Sequence, residues 1–228
     1  MSRWLGARDA DLLVVALVCA VLAVWSNRWS GTDLSLSAHF YDAAAGGFTL
    51  RRDWLWSVLL HDGVKWLSVA AWLALFAAGF VLRLRAREPG RFVRVAFVLC
   101  ASLAAVVAVN LLRMQSAHSC PWYLADFGGQ AQFFRLFDSV PTNSGPGKCL
   151  PSGHAASAFM WLAVLPVLRG AARRRALFAV LTLGGLAGVV QVVRGAHFPS
   201  HILLAAAACA IVVLGAASVM RPPARRRR

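Results

Sequence analysis

Residues 148–170 read KCLPSGHAASAFMWLAVLPVLRG. The first seven carry a cation, a thiol, a serine and a histidine, and the next fourteen are almost wholly apolar. Pro151-Ser152-Gly153 reads as a helix start: serine is a favoured N-cap, and glycine lets the backbone come close to a ligand. His154 then falls in the first turn of an apolar helix. Polar chemistry is being set at the rim of something hydrophobic, and what that is decides the fold.

The rest of the chain answers. Of 228 residues 59% are hydrophobic and only 14% charged, where a soluble domain carries about a quarter. Six apolar runs stand out, at 11–25, 64–82, 92–112, 154–168, 177–193 and 201–220. A transmembrane helix takes about 20 such residues. The expected fold is therefore all-α: a polytopic membrane bundle of about six transmembrane helices, in a single domain over residues 1–228.

Lys and Arg number 24 against 9 Asp and Glu. Their placement says why. Arg3 and Arg8 precede the first run. Arg83, Arg85, Arg87 and Arg91 separate the second from the third. Arg169, Arg173, Arg174 and Arg175 separate the fourth from the fifth, and Arg221 and residues 225–228 end the chain. With six spans all lie on one side, which the positive-inside rule makes cytoplasmic. The charge is a topology signal with lipid-headgroup attraction. It does not imply nucleic acid, since no groove-reading or base-stacking motif accompanies it. Asp9 and Asp11 before the first run, and no small-x-small site before Asn27, favour an uncleaved anchor over a signal peptide.

This topology leaves 26–63, 113–153 and 195–200 on the outer face. The first includes RRDWLWSVLLHDG, whose tryptophans read as interfacial anchors on the membrane surface. Around the other two gather Arg113, Gln115, His118, Cys120, Lys148, Ser152, His154, Gln191, Arg194, His197 and His201. Ionisable groups at membrane depth mark function by default. A guanidinium such as Arg194 holds phosphate bidentately, and a neutral imidazole beside it can attack phosphorus. Pro199 suits the first turn of the last span, which puts His197 just before that helix and His201 within its first turns.

These residues resemble the type-2 phosphatidic acid phosphatase superfamily, which includes membrane lipid phosphatases and soluble vanadium haloperoxidases. Its motifs are K-x6-R-P, P-S-G-H and S-R-x5-H-x3-D. The second is intact at 151–154. The third aligns His197 three residues before position 201, and the first aligns Arg113, six residues, Cys120 and Pro121. The motif region is 113–201. By this resemblance His197 is the nucleophile that becomes phosphohistidine, and His154 is the general acid. Arg113 stands at the family's lysine and binds phosphate with Ser152 and Gly153. Besides Arg113, four positions depart: Cys120 for arginine, Val190 and Gln191 for Ser-Arg, and His201 for the aspartate that orients the nucleophile. Arg194, three residues after Gln191 on the same helix face, and Lys148 are candidate replacements for the lost cations. His201 can accept the His197 N–H through a neutral ring nitrogen.

Cys19, Cys100 and Cys209 fall inside spans as buried thiols. Cys120 and Cys149 share the outer face, and a disulfide between them is permitted if that face is oxidising. Such a bond explains how an arginine position becomes cysteine. A metal site from His118, His154, His197 and His201 is the rival; no HExxH motif supports it, and Pro199 interrupts His197-x3-His201. A transporter should carry its polar groups near the midplane instead. The reading is a metal-independent lipid phosphatase without cofactor. It cleaves a phosphomonoester or pyrophosphate of a lipid at the outer face of an inner or plasma membrane, with both termini cytoplasmic. The alternatives are phosphotransfer to a lipid or sugar acceptor, and a catalytically weak lipid-phosphate-binding protein.

Overall fold

The computed structural model describes residues 10–85 and 89–220; Arg3, Arg8, Arg87, Arg221 and residues 225–228 lie outside them. Helix α1, Ala10–Val24, runs on through wide π-type turns to Trp29. A short α2 follows, Thr32–Ala38. Wide turns at Leu55–Asp62 lead without a break into α3, Gly63–Arg85. Then come α4, Pro89–Met114; α5, Gly153–Phe159; α6, Gly170–Val193; and α7, Pro199–Val219. The described residues form helices and two isolated backbone bridges, the all-α bundle that the sequence implies.

Among the described residues five helices are long and apolar enough to cross a membrane: Ala10–Trp29, Leu55–Arg85, Pro89–Met114, Gly170–Val193 and Pro199–Val219. The sixth expected span is shorter, Gly153–Val167. Its second half, Met160–Val167, is wound as a tighter 3-10 helix with Pro166 inside it. The larger rise of that winding stretches the segment to about 26 Å, against about 30 Å of hydrocarbon. The tryptophan-rich RRDWLWSVLLHDG is not a surface segment as expected. From Leu55 onward it is the first two turns of the second long helix, which runs through Gly63 without a break.

Helix α7 is the centre. Ala205, Ala206, Cys209, Ala210, Val213 and Ala217 are buried along it, and α1 and α4 pack against this small-residue surface. Small residues let helices approach where no hydrophobic driving force separates protein from lipid. At Gly184 of α6 a Cβ would lie 2.3 Å from the Phe159 ring, so only glycine admits α5 here. Arg173 is buried rather than free: its Nε donates to Asp11 Oδ2 at 2.8 Å and its Nη1 to the Leu165 carbonyl, joining α1, the 3-10 segment after α5, and α6. Cys209 is buried and Cys19 half-buried, but Cys100 is exposed on α4, contrary to expectation. That helix turns one face outward with Leu103, Val107 and Leu111, and Cys100 follows it.

The segment 115–152 folds over the end of the bundle. Phe48, Leu124, Phe127, Ala131 and Phe198 make a second small core there. Asn27 Oδ1 accepts from Leu136 N at 2.6 Å, and Arg28 pairs with Asp138 at 2.6 Å, so the first outer segment holds the second. Buried Asp33 accepts from Ser26, Asn27 and both the backbone N–H and the hydroxyl of Ser200. A carboxylate from α2 thus caps the first turn of α7, where orphan N–H groups and the helix dipole favour negative charge.

Candidate active site

A cavity of about 620 Å³ lies between α3, α4, α5 and the α6–α7 turn. Along α3 its lining runs His61, Lys65, Ser68, Val69, Trp72 and Leu73; along α4 it runs Arg113, Asn110, Val106 and Leu103. On both helices it passes from polar to apolar in the same direction. Its polar end is completed by Trp122, Lys148, Gly153, His154, Gln191, Arg194 and His197.

Six buried side-chain polar atoms of the described residues have no hydrogen-bond partner, and five belong to this lining. They are His61 Nδ1, Arg113 Nε, Trp122 Nε1, His154 Nε2 and Gln191 Nε2. Leaving such a group unpaired costs about 1–3 kcal/mol. Arg113, Trp122 and Gln191 present donors only at those atoms, so the arrangement suits a guest rich in acceptor oxygens.

Each side chain has a local reason for its position. Ser152 Oγ accepts from Ala155 N at 3.2 Å, capping α5 and setting His154 in its first turn. The serine is fully buried and outside the cavity wall, so the hydroxyl expected to bind phosphate serves the helix instead; Gly153 does line the cavity. A Cβ at Gly153 would stand 3.1 Å from Asn110 Oδ1 and 3.4 Å from Arg113 Nε. Glycine therefore lets Arg113 lie against the start of α5.

Helix α6 ends at Gly195, with φ +68° and the Phe48 ring 2.3 Å from where a Cβ would be. The Ala196 and His197 N–H groups turn back to the Gln191 carbonyl at 2.8 and 3.3 Å. This turn aims His197 into the cavity. Its Nδ1 lies 3.4 Å from His201 Nδ1 and 3.3 Å from Cys149 Sγ. Burial pushes the His197 pKa down to about 3, with His154 adding to the effect, so its imidazole is neutral at ordinary pH. Arg194 Nη1 donates to Gln191 Oε1 at 3.3 Å, and its Nε and Nη2 donate to the Arg51 carbonyl at 3.4 and 3.3 Å. The helix-face pairing of 191 with 194 places Arg194 on the cavity wall.

Cys120 and Cys149 are joined as a disulfide. Lys148 beside it has φ +57°, its N–H donating to the Ser116 carbonyl at 2.7 Å, and it lines the cavity. His201 is buried behind His197, away from the cavity lining. His118 stands apart, its ring stacked 4.1 Å from Phe134 and its pKa lowered to about 4 by burial. The four-histidine metal set is therefore not assembled; the ligand atoms that do converge are Cys149 Sγ, His197 Nδ1 and His201 Nδ1.

Sequence reasoning missed the α3 wall. His61 packs its ring 3.9 Å from that of His154, and Lys65 and Ser68 follow one and two turns on. Positions 61, 65, 68 and 72 share one helix face, a signal hidden while 51–63 was read as a surface segment. Trp122 also lines the cavity, with the Arg51 guanidinium 4.1 Å over its ring.

The PAP2 superfamily profile matches residues 94–225, and the chain belongs to that family. No curated protein and no solved structure matches the chain. Membership carries phosphatase-type activity on phosphate esters, and the matched segment contains His154, His197 and Arg113.

Proposed function

We propose that the protein hydrolyses the phosphomonoester or pyrophosphate of a membrane lipid through a phosphohistidine. The single observation carrying this is the cavity's graded lining: unpartnered donors and three histidines at one end, Val69, Trp72, Leu73, Leu103 and Val106 at the other. That suits an amphiphile with an anionic head.

His197 Nε2 attacks phosphorus while its Nδ1–H is accepted by His201 Nδ1, which fixes the reactive tautomer. A neutral imidazole keeps its lone pair for this attack. His154 gives a proton to the leaving oxygen as the P–O bond breaks, and the resulting alcohol or lipid phosphate departs. The same imidazole then takes a proton from water, which displaces His197 and releases phosphate. Arg113, Arg194 and Lys148 stabilise the charge on the transferring group, with Gly153 giving it close access to the backbone. By the positive-inside rule, the arginines at the far ends of the helices support a site at the outer face and termini in the cytoplasm. Phosphate transfer to a lipid or sugar acceptor uses the same intermediate with an alcohol in place of water.

The test is phosphate release, under excess chelator, from lipid monophosphates, lipid diphosphates and short water-soluble phosphate esters. The expected result is metal-free turnover with the lipid esters preferred. Release only from the soluble esters, or none without added metal, contradicts the reading.

A further inference from the structure

We infer that Cys120, Cys149, His197 and His201 form a Cys2His2 site for zinc or a similar thiophilic divalent cation, which the Cys120–Cys149 disulfide closes and reduction opens. Three ligand atoms are already gathered. Cys149 Sγ, His197 Nδ1 and His201 Nδ1 lie within 4.8 Å of one another, and all three residues are buried. The nitrogens are 3.4 Å apart, and the sulfur is 3.3 Å from His197 Nδ1. Around a tetrahedral zinc, N···N and N···S separations are about 3.3 and about 3.6 Å. Cys120 is the fourth member because it is bonded to Cys149. Once the bond is cut, two thiolates on one zinc sit about 3.8 Å apart, close to their ordinary non-bonded distance.

In the oxidised protein the site is closed, since a disulfide sulfur is neither a thiolate nor able to lie on the metal beside its bonded partner.

The chemistry balances. A dithiol passes two electrons to the disulfide, becoming a cyclic disulfide itself and leaving two cysteine thiols. Zinc then binds both sulfurs and both neutral imidazoles, releasing the two thiol protons. Metal on His197 Nδ1 obliges the ring's remaining proton to sit on Nε2, so the atom that attacks phosphorus loses its lone pair. The loaded site is thus an off state; this consequence rests on the proposed function, whereas the metal site itself does not.

The full chain in detergent is titrated with cobalt(II), oxidised and after dithiol reduction with anaerobic removal of the dithiol. The reduced protein is expected to take up about one equivalent, with thiolate-to-cobalt absorption that zinc abolishes by displacement, and the oxidised protein none. Cys149→Ser and His201→Ala are expected to lose those bands. If either variant fails to fold, reduced wild-type protein with both thiols alkylated serves as the control. Phosphate release by the zinc-loaded reduced protein should fall by about tenfold or more, and return on chelation. Uptake no greater after reduction than before, or undiminished by alkylation, overturns the site. Thiolate bands in a protein that never releases phosphate would instead overturn the proposed hydrolysis and leave the site standing.

Discussion

The two walls of the cavity are built differently. The wall built by α4, α5 and the α6–α7 turn carries Arg113, His154, Arg194 and His197 on elements anchored in the centre of the bundle, and 44% of the apolar window of α6 is buried. The α3 wall carries His61, Lys65 and Ser68 on a helix whose equivalent window is only 11% buried. Reacting groups need fixed geometry, and a packed wall provides it. A peripheral helix can vary its lining without disturbing the bundle. The motif wall is therefore expected to set kcat and the α3 wall to set which head group and chain are held.

The contrast breaks if the walls respond alike. On the motif side, Arg113→Ala should lower kcat/KM by about 100-fold, as loss of a cation aimed at the transferring group does. Arg113→Lys should recover much of it, since a cation stays at that place in the wall. Steady-state kinetics on one lipid phosphate measures both.

Cys120→Ser should destabilise the fold by about 3 kcal/mol, because the disulfide closes a loop whose ends are 29 residues apart. Thermal unfolding in detergent reads this as a lower Tm, with the loosening concentrated in 115–152 by hydrogen exchange. On the α3 side, Lys65→Ala should raise KM by about fivefold and change kcat by about twofold at most, the mark of a partly solvated cation that binds ground and transition states alike. A kcat loss as large as that of Arg113→Ala would erase the distinction.

Acid stability is set on the motif side and in the loop over it. Burial lowers His197 to about 3 and His118 to about 4, both below the imidazole value of the unfolded chain. As pH falls the unfolded chain binds protons first. Stability is thus complete above about pH 6.5 and declines from there toward pH 4 and below. Tm against pH should show this slope, and His118→Asn should flatten it.

How much of this was legible in the sequence follows the same division. The motif wall was readable because its residues come in short fixed spacings: the Ser152 cap sets His154, and the turn at Gly195 sets His197 and His201. Arg194 was placed by helix periodicity from Gln191. Local spacing could not show that Ser152 would be consumed as a cap. Nor could it show that Asp33, 167 residues before Ser200, would cap α7. The α3 wall was missed for a different reason. Paired tryptophans and arginines before Gly63 look interfacial, yet the helix begins there. Once it does, His61, Lys65 and Ser68 fall on one face. The Cys120–Cys149 contact was anticipated from both lying on one face of the membrane; its closeness to the His197 ring was not, because no spacing in the sequence joins position 149 to 197.

The central claim is that His197 carries the phosphoryl group. The direct measurement is rapid quenching of turnover on a lipid phosphate labelled at phosphorus, followed by peptide mapping under alkaline conditions that preserve phosphohistidine. The account predicts acid-labile, base-stable label on the peptide holding His197, absent in His197→Ala together with phosphate release. Phosphate release that persists in His197→Ala, or label residing on another residue, would contradict it.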